Sequence, residues 1–168
     1  MKNIITVTIF FGLLLFITPA FSDDFSVSHL DADWKNGKSS VPKKGICKWN
    51  GGKGLSPELK LENIPDKTSR FLVSFTDRDY GSTGGHGEFK VSYDGTSKEF
   101  IIKSVVGETK ELPDGYEGIK THHSSNSSSG YYLGPCSGGR WHSYFVRVDA
   151  LNSDGKAIAK AKMNLGNY

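Results

Sequence analysis

The sequence predicts an all-β domain. Glycine is frequent, at 20 of 168 residues. The body of the chain lacks long apolar stretches with helical spacing, and two segments, 70–76 and 141–150, alternate with the two-residue period of a strand. Short strands joined by frequent turns are the consequence of that pattern.

The first residues stand apart. Lys2 precedes an apolar run over 4–16 and the small-residue pattern Ala20-Phe21-Ser22, which is the order of a secretory signal peptide. The run is shorter than the roughly 20 apolar residues of a membrane span. Residues 1–22 are therefore expected to be removed, leaving 23–168 as one domain with no stable membrane span. A domain near that length buries about 70% of the surface its unfolded chain exposes. The expected localisation is secreted or periplasmic. Net charge is +3, and no basic block with interleaved aromatics occurs, so no nucleic-acid partner is expected.

Two cysteines, Cys47 and Cys136, lie outside the signal segment. Export places them in an oxidising compartment, where a disulfide between them is the leading reading. Closing so long a loop restricts the unfolded chain by about 4 to 5 kcal/mol in the entropy model. Two separate buried thiols, or a nucleophilic cysteine beside His142, are the alternatives.

Along the mature chain, 23–44 mixes charge and serine with Phe25, Val27 and Leu30, as an edge strand and loop would. Residues 49–58 are a turn region feeding a short strand at Leu59-Lys60-Leu61, and Pro65 interrupts the chain before the next element. In 70–76, Phe71, Val73 and Phe75 share one face of a strand rich in β-formers. Segments 88–93 and 98–106 flank Asp94-Gly95, a hairpin dipeptide, and are expected to pair with each other. Residues 107–130 read as a polar connection, with His122-His123 ahead of the serine-rich run 124–129, a solvated loop.

The last hairpin is the clearest element. One face of 141–150 carries His142, Tyr144, Val146, Val148 and Ala150. Asn152-Ser153-Asp154-Gly155 turns the chain, and 156–165 returns with Ala157, Ala159, Ala161, Met163 and Leu165 on one side and mostly lysine on the other, an edge strand guarded by charge. Upstream, Gly134-Pro135-Cys136-Ser137-Gly138-Gly139 forms a rigid corner leading to His142 and Tyr144. A second polar turn, Thr76-Asp77-Arg78-Asp79-Tyr80, ends the 70–76 strand, with His86 shortly after, so two loops can converge on one site.

In this order the pieces resemble the phosphatidylethanolamine-binding protein family, in particular its bacterial Raf-kinase-inhibitor-like branch. They are Cys47, Leu55-Ser56-Pro57-Glu58-Leu59, Ile64-Pro65-Asp66-Lys67-Thr68, the strand from Phe71 to Asp79, His86, Tyr131-Tyr132-Leu133-Gly134-Pro135-Cys136, His142-Ser143-Tyr144-Phe145 and Asp149-Ala150-Leu151. The resemblance covers most of the mature chain. It implies a large antiparallel sheet packed on a smaller one, and a small cavity near the surface that accepts phosphate-like anions. By motif it assigns Asp77, Asp79, His86, Gly134, His142 and Tyr144 to that cavity, with no catalytic residue, metal or cofactor. Histidine, tyrosine and backbone amides would donate to the anion, and a carboxylate would orient a histidine. Arg78 and Gly81 stand where the family has prolines, Gly87 replaces an aromatic, and Ser137 replaces a proline, so a looser or differently shaped turn, an added anion contact from Arg78 and altered pocket walls are expected. The helix that often precedes the family's final strand is missing from the pattern.

Three function classes are open. The first is a secreted, non-enzymatic binding protein for a small anionic ligand that also modulates a protein partner. The second is a cell-envelope or host interaction protein with a vestigial pocket. The third is a hydrolase, either metal-assisted through Asp77, Asp79, His86 and His142 or using a cysteine. The chain has no His-Glu-x-x-His spacing and no third group to orient a cysteine–histidine pair.

Overall fold

A computed structural model describes residues 24–34, 40–81 and 85–168. The expected signal segment, 1–22, lies outside the described residues. Eight strands occur among them: β1 (Ser26–His29), β2 (Leu59–Glu62), β3 (Arg70–Asp77), β4 (Glu88–Ser92), β5 (Phe100–Ile102), β6 (Tyr116–Lys120), β7 (Ser143–Leu151) and β8 (Ala157–Asn167). Among the described residues, two short 3-10 turns, Lys43–Gly45 and Lys48–Asn50, are the helical elements. The strands form a three-stranded sheet in the order β1-β2-β5 and a five-stranded sheet in the order β6-β4-β3-β7-β8, with every strand pair antiparallel.

The core lies where the two sheets meet. Phe71, Val73 and Phe75 of β3 stand opposite Ala150, Val148 and Val146 of β7, so large side chains on one strand face smaller ones on the next. Phe71 also reaches the smaller sheet, with its ring 5.5 Å from that of Phe100 and 6.2 Å from that of Phe25. Phe75 packs on Tyr132 at 4.5 Å, edge to face. Aromatic pairs at such distances add to the stabilisation from burial alone.

The strands at 70–76 and 141–150 form as expected, and β8 is an edge strand with Lys160 and Lys162 exposed. The connection from β7 to β8 is the turn at Asn152–Gly155, where Gly155 N donates to Asn152 O and Lys156 N to Asn152 Oδ1. No helix intervenes there.

Two expectations are corrected. Segments 88–93 and 98–106 do not pair: β4 lies between β3 and β6, whereas β5 joins β2 in the other sheet. Asp94 does turn the chain, its Oδ1 accepting from Thr96 N and Oγ1. The turn nevertheless carries the chain from one sheet to the other, where Phe100 packs on Phe71 and Ile102 is buried opposite Leu59, while β6 takes the remaining side of β4. Within 107–130, expected to be a polar connection throughout, β6 adds to β4. Its Gly118 lies beneath the Tyr131 ring, leaving no alternating apolar signal to read.

Tyr132 is 1% exposed, and its hydroxyl has no hydrogen-bond partner among the described residues. An unpaired buried hydroxyl opposes folding. Tyr132→Phe is expected to leave stability unchanged or raise it by about 1 kcal/mol, read as the midpoint of urea unfolding.

Candidate functional site

The core-facing column of β3 ends in a carboxylate. After Phe71, Val73 and Phe75 the next residue on that face is Asp77, paired in register with Tyr144 of β7. Asp77 is 6% exposed, and a buried charge persists only when it is hydrogen-bonded. Its Oδ1 accepts from the backbone amides of Asp79 (2.9 Å) and Tyr80 (3.1 Å), and its Oδ2 accepts from His142 Nδ1 at 2.7 Å. His142, just before β7, is fixed by backbone bonds in both directions with Tyr168. Asp79 Oδ2 accepts from Ser143 N at 2.7 Å, and Arg78 N donates to Ser143 O at 2.8 Å. These bonds span the turn at the positions where the family has prolines. Arg78 points away from the cleft: its guanidinium donates to Asn164 Oδ1 at 3.0 Å and lies over the Phe145 ring.

His86 enters from the opposite side. Its backbone N–H donates to Phe75 O and its carbonyl accepts from Leu133 N. The ring stands edge-on to Tyr144 at 5.2 Å, and Nδ1 donates to Leu133 O at 3.0 Å. Desolvation by burial holds its pKa below the usual imidazole value. The Nδ1 proton is thus used within the protein and is not free to reach an anion.

The next residue explains a departure from the family. Gly87 has φ +98, and a Cβ there would fall 2.3 Å from Tyr131 O. Glycine is needed for the backbones to approach, so the substitution fits the local packing rather than opening a wall. At the corner, a Cβ on Gly134 would fall 2.1 Å from Gly45 O. Cys47 N donates to Pro135 O beside it, and the Cys47–Cys136 disulfide, with Cα atoms 5.4 Å apart, fastens the same two segments. The disulfide removes the free thiol that a cysteine hydrolase would use. Cys136 N donates to the Tyr144 hydroxyl at 3.3 Å, and burial raises that phenol's pKa, helped by the nearby Asp77 charge. Ser137, in the family's proline position, donates its hydroxyl to Tyr168 O.

These elements enclose a cleft of about 200 Å³. Asp77, His86 and His142, all expected at a site, line it. Asp79, Gly134 and Tyr144 do not; they act from behind, through Ser143, through the close backbone approach and through Cys136 and the His86 ring. Sequence reading missed Arg140, His123 and the stretch Ser124-Ser125-Asn126, which also line the cleft. That serine-rich loop is built into the wall. His122 Nε2 donates to Ser128 O at 2.8 Å, its Nδ1 accepts from Ser124 N at 3.3 Å, and His123 N donates to Gly85 O at 3.0 Å. A histidine pair directly before the serine run was the available signal. Among the described residues, no group of three His, Cys, Asp or Glu side chains is placed to hold a metal ion; Asp79 Oδ2 accepts from Ser143 N and His86 Nδ1 donates to Leu133 O instead.

A family model described as phosphatidylethanolamine-binding protein matches residues 31–167. The chain belongs to this family. A UPF0098 protein of Aquifex aeolicus is 28% identical over 127 residues, covering 71% of this chain and 64% of the relative. The chain thus spans less than two thirds of that relative's length. Escherichia coli YbcL, described as a member of the mammalian PEBP family, superposes with a TM-score of 0.58 at 18% identity, covering 87% of this chain and 98% of YbcL. A PEBP homologue of Chlamydia trachomatis gives 0.56 at 19% identity, covering 88% and 98% respectively. At these identities the two structures establish the fold alone.

Two properties of this PEBP-family site can be measured directly. Gly87→Ala combines a disfavoured backbone region with a clash against Tyr131 O, and is expected to cost at least about 2 kcal/mol in chemical unfolding. The second concerns acid. The unfolded chain protonates His86 near its usual 6.5, whereas the folded chain resists protonation. Its contribution is therefore complete above that pH and lost as pH falls through the lower folded value. Unfolding midpoints should drop on moving from about pH 7.5 to about pH 5, with a smaller drop in His86→Gln.

Proposed function

We propose that this chain is an exported, non-enzymatic binding protein that takes a phosphate-like anion in the cleft between Arg140, His142 and the 124–126 loop. The carrying observation is the state of Asp77. Both of its oxygens are occupied by donors, so the carboxylate orients His142 while little of its lone-pair surface is left to repel an anion. Arg140 supplies a cation at the rim, and the hydroxyls of Ser124 and Ser125 with the Asn126 amide supply neutral donors. Export is supported by the disulfide, since such bonds persist in oxidising compartments.

Calorimetric titration with inorganic phosphate and with O-phosphoethanolamine tests this reading. Saturable binding is expected, weakened about tenfold or more in Arg140→Ala and in His142→Ala. Imidazole resonances of His86 and His142 that ignore millimolar phosphate would sink the anion site.

A second reading keeps the fold and treats the cleft as vestigial, with the rim docking on a cell-envelope or host protein. It is favoured by Tyr80 and Trp141, which are 83% and 58% exposed. Association with such a partner would weaken in Trp141→Ala and persist in His142→Ala. The first reading, in which the bound anion modulates the partner, requires both changes to weaken it.

A further inference from the structure

Two sheet edges lie open side by side. Strand β8 ends the five-stranded sheet and β1 ends the three-stranded one. Over 157–163 the backbone of β8 bonds to β7, and among the described residues no backbone group occupies its other side. Between the two edges runs a groove of about 450 Å³, lined by Phe25 and Val27 on one side and Ala159 and Ala161 on the other. All four belong to the core or pack against it, so the floor is apolar. Asp24 lines the same groove, which disfavours a second acid there.

The outer face of β8 has the opposite character. Lys160 and Lys162 are exposed, standing across from Asp149 and Arg147 of β7. Arg147 Nε already pairs with Asp149 at 3.0 Å, and among the described residues neither lysine makes an ion pair. Lys162 Nζ rests over the Phe145 ring at 3.7 Å. An open edge accepts a further strand through its backbone, and the side chains beside it decide which strand. A second β8 would set lysine beside lysine. The pattern that deters self-pairing thus favours acids.

We propose that the β8 edge docks an extended acidic segment of another protein, added as a further strand of the large sheet. In that segment Asp or Glu alternates with apolar residues. The acids lie beside Lys160 and Lys162, and the apolar side chains enter the groove at Ala159 and Ala161. This surface is independent of the anion-binding reading, because Ala159 and Ala161 pair with Ala150 and Val148, whereas the cleft lies at the Tyr144 end of β7.

Fluorescence anisotropy with a labelled peptide of about eight residues alternating glutamate and valine, long enough to follow the open edge, provides the test. Saturable binding is expected, about tenfold or more tighter than that of a scrambled peptide of the same composition, and weakening as salt is raised. Joint Lys160→Glu and Lys162→Glu changes should lower affinity about tenfold or more and confer binding of a lysine–valine peptide, a gain that a misfolded variant cannot show. Two arms need no variant. N-methylation of one alternate set of peptide amides should abolish binding while methylation of the other set is tolerated, and amide exchange should slow within 157–163. Equal binding of the scrambled peptide, or of both methylated forms, overturns strand addition. A folded double variant that still prefers the glutamate peptide removes the lysines from the role. A dimer of the wild-type protein formed through this edge would give the surface to a second copy and overturn the acidic partner.

Discussion

The buried carboxylate of Asp77 is the constraint on which the site depends. A charge at the end of a core-facing strand column is tolerated only if donors surround it, and here they come from the turn after β3 and from the residue before β7. Satisfying Asp77 therefore shapes the Asp79–Tyr80 turn and sets the His142 ring in one orientation. The same requirement joins two strands at their open ends, where the ladder of backbone bonds is running out. Asp79 reinforces the junction by accepting from Ser143, so both acidic residues serve structure before they serve any ligand.

Behind this junction the corner at Gly134 is positioned by contact between backbones. Gly134 approaches Gly45 closely, Pro135 O accepts from Cys47 N, and the disulfide ties the neighbouring side chains. Three different kinds of restraint act within a few residues. They leave Tyr144, which receives the Cys136 amide and backs the His86 ring, little freedom to move. Residues that a motif assigns to binding thus divide into those that face the cleft and those that hold its walls.

Much of this was legible in the sequence where the signal was local or carried by side-chain alternation. The β3 and β7 columns, the lysine-guarded edge of β8, the cysteine pair and the convergence of Asp77 with His142 all belong to that class. The misplaced partner of β4 shows where such reading stops. Asp94-Gly95 specifies a turn, but nothing in a turn says which sheet receives the next strand; that choice is made by Phe100 meeting Phe71. Strand β6 is hidden from pattern reading because Gly118 sits where a strand would carry an apolar side chain, its place taken by Tyr131 from elsewhere in the chain. The role of His122 in bracing the serine-rich wall, and the proton position in His86, depend on carbonyl groups that no sequence spacing predicts.

The Asp77–His142 contact spans 65 positions in sequence, which has a kinetic meaning. Local pairing of β7 with β8 across the Asn152–Gly155 turn closes a short loop, whereas bringing β7 to β3 requires closing a long one, at greater entropic cost. The cleft cannot exist before that slower, non-local pairing is complete. Its walls also come from segments far apart in the chain, at 77, 86, 123–126 and 136–142. Competence at the cleft is consequently a late event of folding, and among the first properties lost when the ends of β3 and β7 separate.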